Sequence, residues 1–208
     1  MKLQIPFLSK PRLDPYQSIP LDHPMLDRAR TLIPAQWWPS TWVAGSAATR
    51  FGQHQDVDVW ITGVPRTQDL SILLGAPSKL MDADADEDYE HIAIKVYNQD
   101  GLQIMACHDD IHQLLKGFDI SVHCGATHLV TGEQLRGPGY GEKVTIINYL
   151  QEKPVLTLTR YLSIAKRYKD FRAMFDETVQ KCAADTFYLR TPAQMEQHLR
   201  DNFVDRGL

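Results

Sequence analysis

The sequence is poor in cysteine. Its 208 residues include three cysteines, Cys107, Cys124 and Cys182, and no pair of them has the C-x-x-C spacing of a zinc ribbon. Disulfide frameworks need paired cysteines and an oxidising compartment, so an odd number without motif spacing favours a reducing one. The sequence therefore predicts a cytoplasmic chain that is held together by its apolar core.

Long apolar runs and a strong charge of one sign are also missing. No stretch approaches the roughly 20 apolar residues of a membrane-spanning helix, so no membrane partner is expected. The apolar part of MKLQIPFLSK is short and interrupted by Pro6, which argues against a secretory signal. The net charge of −4 excludes a protein that coats nucleic acid through bulk positive charge, although it is compatible with a local basic face.

The clearest chemical pattern begins at Asp56. Asp56 and Asp58 alternate with Val57 and Val59, and on a β-strand this period of two places both carboxylates on one face. Neighbouring carboxylates repel each other unless a cation neutralises them. Because hard oxygen ligands suit Mg²⁺, and also Mn²⁺, the pair predicts a divalent-cation site.

Gly45 and Ser46 lie shortly before this pair. A residue without a side chain lets a phosphate approach the backbone, and a neighbouring hydroxyl can bond it. A short helix is predicted over 47–51, with its N–H groups directed at the anion. Arg50 in that helix either reaches a triphosphate or is solvated or paired with a carboxylate. A phosphate-binding segment followed by a pair of metal-binding carboxylates is typical of a phosphoryl-transfer site.

These two elements together resemble the motif of the nucleotidyltransferase superfamily, which has the polymerase-beta-like fold. The family motif is an apolar residue, Gly, Gly or Ser, and then Asp/Glu-x-Asp/Glu between apolar residues; here it corresponds to Ala44-Gly45-Ser46 and Asp56-Val57-Asp58-Val59. The family also has a third carboxylate on a later strand between apolar neighbours, and Phe118-Asp119-Ile120 matches it. The resemblance covers residues 40–125.

The resemblance implies a metal-dependent transfer of a nucleoside monophosphate from a nucleoside triphosphate, such as ATP, to an acceptor hydroxyl, with release of pyrophosphate. It implies that Asp56 and Asp58 bind two Mg²⁺ ions and that Asp119 binds the ion that activates the acceptor. It also implies a basic residue from a later helix at the triphosphate, and Lys166 is selected for this role. A nucleic-acid 3′ end such as that of tRNA is favoured slightly as the acceptor, while a protein side chain, a small alcohol and another nucleotide remain open.

The predicted fold is α/β: a small mixed sheet with flanking helices and a C-terminal helical part. Residues 1–40 carry seven prolines and predict an extended segment that wraps over the core, with one helix from Pro24 to Ile33. Residues 41–131 are assigned to the catalytic core and 132–208 to a linker and helical region. Trp37, Trp38 and Trp42 are expected to pack in the core rather than to hold a base.

Periodicity predicts the remaining elements. The period of two predicts strands over 42–44, 56–62, 91–97, 102–106 and 118–124, with Asp100-Gly101 at a tight hairpin turn. Helical spacing predicts helices over 67–74 and 108–117, one from residue 155 and a last one from residue 191. Residues 132–141 predict a glycine-rich loop, which lacks the Lys-Ser/Thr of a P-loop.

The segment 153–172 interleaves basic residues with tyrosines. This composition suits nucleic acid, although an ordinary solvated amphipathic helix has the same spacing. It leaves two alternatives to an enzyme: a non-catalytic module of this fold in a regulatory or antitoxin-type role, and a plain nucleic-acid-binding protein. Three retained carboxylates argue against the first, and the net negative charge argues against the second.

Overall fold

The computed structural model describes residues 17–50, 56–70, 73–74, 93–140, 143–148, 154–167, 176–187 and 193. Its α-helices are α1 (Pro24–Leu32), α2 (Ser46–Thr49), α3 (Ile111–Lys116), α4 (Pro154–Arg167) and α5 (Glu177–Phe187), and 3₁₀ helices cover Ala35–Ser40 and Ser121–His123. Its strands are β1 (Thr41–Ala44), β2 (Val57–Ile61), β3 (Ala93–Gln99), β4 (Leu102–Cys107), β5 (Gly125–His128) and β6 (Gln134–Arg136). The predicted segment 1–16 and nearly all of the last predicted helix lie outside the described residues.

The six strands form one mixed sheet in the order β3-β4-β2-β1-β5-β6. β2 and β4 run parallel, while the other neighbouring pairs are antiparallel. Helices accompany this sheet, so the predicted α/β class is confirmed. None of the described helices has the length and apolar character needed to cross a bilayer.

Both faces of β2 are covered, but by different parts of the chain. Val57, Val59 and Ile61 belong to a core that includes Leu26 and Ala29 of α1. Trp60 points to the opposite face, where α3 covers it through three apolar residues, Ile111, Leu114 and Leu115. Asp58 alternates onto this second face and is partly exposed there.

The helices α4 and α5 make a third core with the chain around residue 120. Ile120, Val122, Val144 and Ile146 pack there against apolar side chains of both helices, namely Leu158, Tyr161, Leu162, Ile164, Val179, Cys182 and Ala183. This packing holds α4 against the segment that carries Asp119. The predicted C-terminal helical part is therefore present among the described residues, as an α4–α5 pair.

Three predicted features of the chain are confirmed in detail. Asp100 and Gly101 have φ angles of 51° and 78°, as a type I′ turn requires, and they join β3 to β4. The tryptophans pack as expected: Trp37 and Trp38 lie against the α1-side core, and Trp42 is 8% exposed. Asp110 is the N-cap of α3, and its carboxylate accepts a hydrogen bond from the backbone N–H of Gln113. Gly117 is the C-cap of this helix.

The predicted strand over 118–124 is wrong. Asp119 lies in a bend, Ile120 makes one isolated bridge to Ile146, and Ser121–His123 form a 3₁₀ helix. The Ser121 hydroxyl causes part of this departure, because it donates to the carbonyl of Lys143 and accepts from the N–H of Thr145, in place of a strand partner. The alternating apolar residues go to two different cores, so their period of two does not mark one sheet face.

Three smaller predictions also need correction. Among the described residues of 67–74, the chain forms turns and bends, with 3₁₀ geometry at Leu70, in place of the predicted α-helix. Leu70 and Leu73 are nevertheless buried. The predicted loop 132–141 contains β6, because Gln134, Leu135 and Arg136 pair with β5. The helix after Gly45 covers only Ser46–Thr49, since Arg50 leaves helical geometry with φ −142°.

The three thiols are expected to be unreactive in the folded protein. All three are buried, and burial raises their pKa, to about 12 for Cys107 and to about 11 for Cys182. Because the thiolate is the reacting form, an aromatic disulfide reagent at pH 8 should titrate no thiol in native protein and all three after denaturation. A fast-reacting thiol in the native protein would contradict this packing.

Candidate functional site

Gly45 and Asp58 lie against each other. β1 and β2 pair antiparallel with Ala44 opposite Asp58, so the residue after β1 reaches the carboxylate. A Cβ built on Gly45 would lie 3.5 Å from Oδ2 of Asp58. Gly45 also has φ +76° and ψ −145°, a conformation that side-chain-bearing residues rarely adopt. The two motif elements, 13 residues apart in sequence, thus meet in space with only a glycine at the contact.

Gly45 is fixed on both sides by backbone hydrogen bonds. Its N–H donates to the carbonyl of Gly125 at the start of β5, and its own carbonyl accepts from the N–H and hydroxyl of Thr49. Ser46 is the first residue of α2 and is partly exposed. The backbone next to the Asp58 carboxylate is therefore rigid, and the Ser46 side chain remains accessible beside it.

Asp56 lies one residue before β2 and is partly exposed. The N–H of Val57 donates to the carbonyl of Gly101, so pairing with the β3–β4 hairpin starts directly after Asp56. The predicted strand therefore begins one residue later than expected. Asp58 therefore lies within β2, whereas Asp56 lies just before its first residue.

Asp119 is held against α4 by an ion pair. Its Oδ2 lies 3.2 Å from Nη1 of Arg160, and the two side chains are 20% and 39% exposed respectively. Its carbonyl accepts a hydrogen bond from the N–H of Ile147, which fixes the backbone of the bend. The third carboxylate of the predicted set is thus presented from a bend beside a helix, not from a strand.

His123 is surrounded by positive charge. Burial, and after it the charges of Arg160, Arg167 and Arg50 in that order, lower the pKa of its imidazole to about 3. The side chain is consequently neutral at physiological pH. The charges of three arginines, two on α4 and one at the end of α2, therefore act on the 3₁₀ helix Ser121–His123, which also packs against α2.

The predicted phosphate-binding residues are carried by two different helices, α2 and α4. Gly45, Ser46 and Arg50 lie together at α2, and Arg50 is buried with 6% of its surface exposed. Lys166 is exposed on α4, while Arg160 and Arg167, seven residues apart, lie on one face of that helix. Sequence reasoning selected Lys166 as the basic residue of α4; the seven-residue spacing of the two arginines is the signal that indicates the other face.

The predicted carboxylates meet the needs of a divalent cation only in part. Asp56 and Asp58 supply hard oxygen donors beside a glycine that leaves Asp58 approachable, and this donor set fits Mg²⁺ or Mn²⁺. Within the described ranges no group of three or more His, Cys, Asp or Glu side chains is placed to hold a metal ion. Asp119 is engaged by Arg160, so the three predicted ligands are not gathered in one cluster.

No family model and no curated protein sequence matches this chain. Several solved structures resemble it in fold. They are CCA-adding enzymes. One, from Thermotoga maritima and complexed with tRNA, is 13% identical with a TM-score of 0.45 and covers 77% of this chain; another, in complex with ATP, is 17% identical with a TM-score of 0.49 and covers 85%. A third, in complex with CTP, is 15% identical with a TM-score of 0.39 over 77% of this chain.

This chain spans less than half of each of these structures, 46% of the first, 47% of the second and 42% of the third. At these identities and TM-scores the likeness assigns no activity to this chain. The chemistry of the site therefore depends on the residues of this chain.

Proposed function

We propose that this chain is a metal-dependent nucleotidyltransferase that moves a nucleoside monophosphate from a nucleoside triphosphate to an acceptor hydroxyl and releases pyrophosphate. The single observation that carries the proposal is the position of Gly45 beside Asp58, where an added Cβ would lie 3.5 Å from Oδ2. A positive-φ glycine with no side chain between its backbone and the carboxylate leaves room for a phosphate next to a cation-binding group. A purely structural strand pair has no need for that open approach.

The donor triphosphate is proposed to lie between α2 and α4. Gly45 and Ser46 offer an approachable backbone and a hydroxyl, and Arg50, Arg160 and Arg167 supply positive charge around His123. A triphosphate carries several negative charges, and guanidinium groups bind phosphate oxygens in pairs. The neutral His123 adds no charge and is able to donate a hydrogen bond from one ring nitrogen.

Asp56 and Asp58 are the residues that would hold Mg²⁺, and Asp119, which is paired with Arg160, lies outside this pair. When bound, the cation supplies charge neutralisation at the transferring phosphoryl group and lowers the pKa of the attacking hydroxyl. The chain's own residues contribute position: the fixed Gly45 backbone sets how close the phosphate comes to Asp58. Positioning and electrostatics together account for most of the catalysis in such reactions.

The acceptor is proposed to be a nucleic-acid 3′ end such as that of tRNA. α4 exposes Lys166 in its last turn beside the partly buried Arg167, which gives this end of the helix a basic surface next to the proposed donor site. Phosphate contacts of this kind position a nucleic acid without reading its sequence. The acceptor end would then lie within reach of the carboxylates.

The proposal is tested by label transfer. Each of the four α-labelled ribonucleoside triphosphates is incubated with the protein, Mg²⁺, and total RNA together with a protein extract, with the Asp56→Asn/Asp58→Asn double variant as control. Label appearing in RNA only with the wild type supports the reaction and the acceptor, and the labelled base gives the nucleotide. Label in protein or in a small molecule would show that the acceptor is not RNA. No transfer, with Mg²⁺-dependent triphosphate binding intact, would favour the non-catalytic regulatory module.

Arg167→Gln is expected to weaken triphosphate binding about fivefold, while Lys166→Gln changes it by less than about twofold. Arg167 acts on His123 at the proposed phosphate site, whereas Lys166 is exposed on a different face of α4. Isothermal titration with ATP compares the two variants, which remove the same charge from adjacent positions. An equal loss in both would show that helix charge in general, and not the arginine face, attracts the donor.

A further inference from the structure

An arginine and a tyrosine are stacked at one edge of the sheet. The guanidinium carbon of Arg136, the last residue of β6, lies 5.2 Å from the centre of the Tyr140 ring. Arg136 is exposed, whereas Tyr140 is half-buried against the core that α3 covers. The ring therefore holds the guanidinium group in place while that group stays accessible to solvent.

The loop that carries the tyrosine is tightly packed. An added Cβ at Gly137 would overlap Sγ of Cys124, and one at Gly139 would overlap a neighbouring isoleucine, Ile147. The N–H of Gly137 donates to the carbonyl of Cys124, and the N–H of Tyr140 donates to the carbonyl of Gly137. These contacts fix the tyrosine relative to β6, so the stacked pair is carried by a rigid backbone.

The stacked pair lies at the same end of the sheet as Asp58. Arg136 is paired with Gly125 at the start of β5, and the carbonyl of Gly125 accepts the hydrogen bond from the N–H of Gly45. Gly45 in turn lies beside Asp58. Three strand spacings separate β6 from β2, which places the backbone of Arg136 about 14 Å from that of Asp58. A segment of a few nucleotides spans that distance.

A second positive charge lies beside the stacked pair. An added Cβ at Gly137 would lie 3.0 Å from Cβ of Leu115, so the end of α3 borders this loop. Lys116 follows Leu115 in α3 and is exposed. Unpaired bases stack on guanidinium planes and aromatic rings, and lysines bind the phosphates that link them. The combination of a flat cation and a neighbouring lysine therefore suits a single-stranded nucleic acid.

The opposite edge of the sheet carries a similar pair with a different environment. The guanidinium carbon of Arg28 lies 5.5 Å from the centre of the Tyr97 ring on β3. The same guanidinium group forms an ion pair with Asp100 at 3.2 Å and donates a hydrogen bond to the Tyr97 hydroxyl. These contacts join α1 to the β3–β4 hairpin. Arg28 thus has a structural role and serves as a matched control for Arg136.

We propose that Arg136, Tyr140 and Lys116 form a binding surface for the single-stranded 3′ segment of an RNA acceptor. An unpaired base stacks on the Arg136 guanidinium, which the tyrosine ring supports from its other side, and Lys116 contacts a phosphate. The inference deepens the proposed function and rests on its RNA acceptor. The surface holds the RNA at β6, from which the 3′ end reaches across the sheet end towards Asp58.

The test measures RNA binding in the absence of triphosphate and Mg²⁺, by the fluorescence anisotropy of a short labelled single-stranded RNA. Arg136→Gln is expected to weaken binding about tenfold. Arg136→Lys keeps the charge but not the planar group, and its affinity is expected to stay at least about threefold below that of wild type. Lys116→Gln is expected to reduce the slope of log affinity against log salt by about one. Arg28→Gln is expected to leave RNA affinity unchanged.

Weaker RNA binding in Arg136→Gln but not in Arg28→Gln would support the surface, and so would a higher KM for RNA in label transfer with a smaller change in kcat. Full RNA affinity in Arg136→Gln or Arg136→Lys, or a wild type that binds no RNA, would overturn it. Thermal unfolding of each variant verifies that the fold is retained. Transfer to RNA by the wild type with an unchanged KM in Arg136→Gln rejects this surface alone, whereas a wild type that transfers label to no acceptor rejects the proposed function.

Discussion

Asp58→Asn is expected to reduce nucleotidyl transfer about a thousandfold and to leave the fold intact. Asp58 is the carboxylate beside Gly45, and it lies on β2 between two strands that hold it in place. Asparagine keeps the shape of the side chain but removes the charge that binds the cation. Because charge neutralisation by a bound cation is worth several kcal/mol in such transfers, its loss should be large. The initial rate of transfer from an α-labelled triphosphate measures the effect.

The control is Asp22→Asn, which removes an exposed carboxylate before α1. It should retain the wild-type rate, and both variants should unfold at nearly the wild-type temperature, because Asp58 is partly exposed and neither change empties a core position. An Asp58→Asn protein with more than about a tenth of the wild-type rate would be inconsistent with metal-dependent catalysis at this carboxylate.

Gly45→Ala is expected to combine a loss of stability with a loss of activity. At φ +76° and ψ −145° an alanine is strained, at a cost of about 1–3 kcal/mol. The new methyl group lies at an ordinary contact distance, 3.5 Å from Oδ2 of Asp58, so the protein still folds. However, the methyl occupies the approach to the carboxylate, and a displaced phosphate is expected to react about a hundredfold more slowly.

Gly63→Ala separates these two effects. Gly63 also has a positive φ, +65°, but a Cβ there would meet nothing within 4 Å. It should therefore lose stability of the same order as Gly45→Ala and retain its transfer rate once measured at a temperature where both variants are folded. If both variants lost activity equally, backbone strain would explain the result and the open approach at Gly45 would have no catalytic role.

The part of the site that is local in sequence could be predicted from it. Gly45 and Ser46 directly follow β1, Asp56 directly precedes β2 and Asp58 lies within it, so a motif read along the chain is also a motif in space. The hairpin at Asp100 could be predicted for the same reason, since its turn chemistry is contained in two residues. These features depend on neighbours along the chain, which the sequence displays directly.

The part of the site that is formed by segments distant in sequence could not be predicted from the sequence. Asp119 was expected on a strand because Phe118, Ile120, Val122 and Cys124 alternate, but these side chains enter two separate cores and the backbone bends. Likewise Arg160 and Arg167 acquire their importance from the packing of α4 against residues 120–146. Periodicity describes a face of one element and not which element covers it, so Lys166 was as good a candidate as either arginine.

The most direct measurement compares ATP labelled at the α-phosphate with ATP labelled at the γ-phosphate, in the presence of Mg²⁺ and a pool of RNA acceptors. A nucleotidyltransferase places the α-label in the acceptor and the γ-label in pyrophosphate, and Asp58→Asn does neither. Label from the γ-phosphate entering an acceptor or appearing as inorganic phosphate would contradict the account, because the site would then transfer or hydrolyse the terminal phosphate. The position of Gly45 beside Asp58, together with the positive charge of the α4 arginines, predicts the first result.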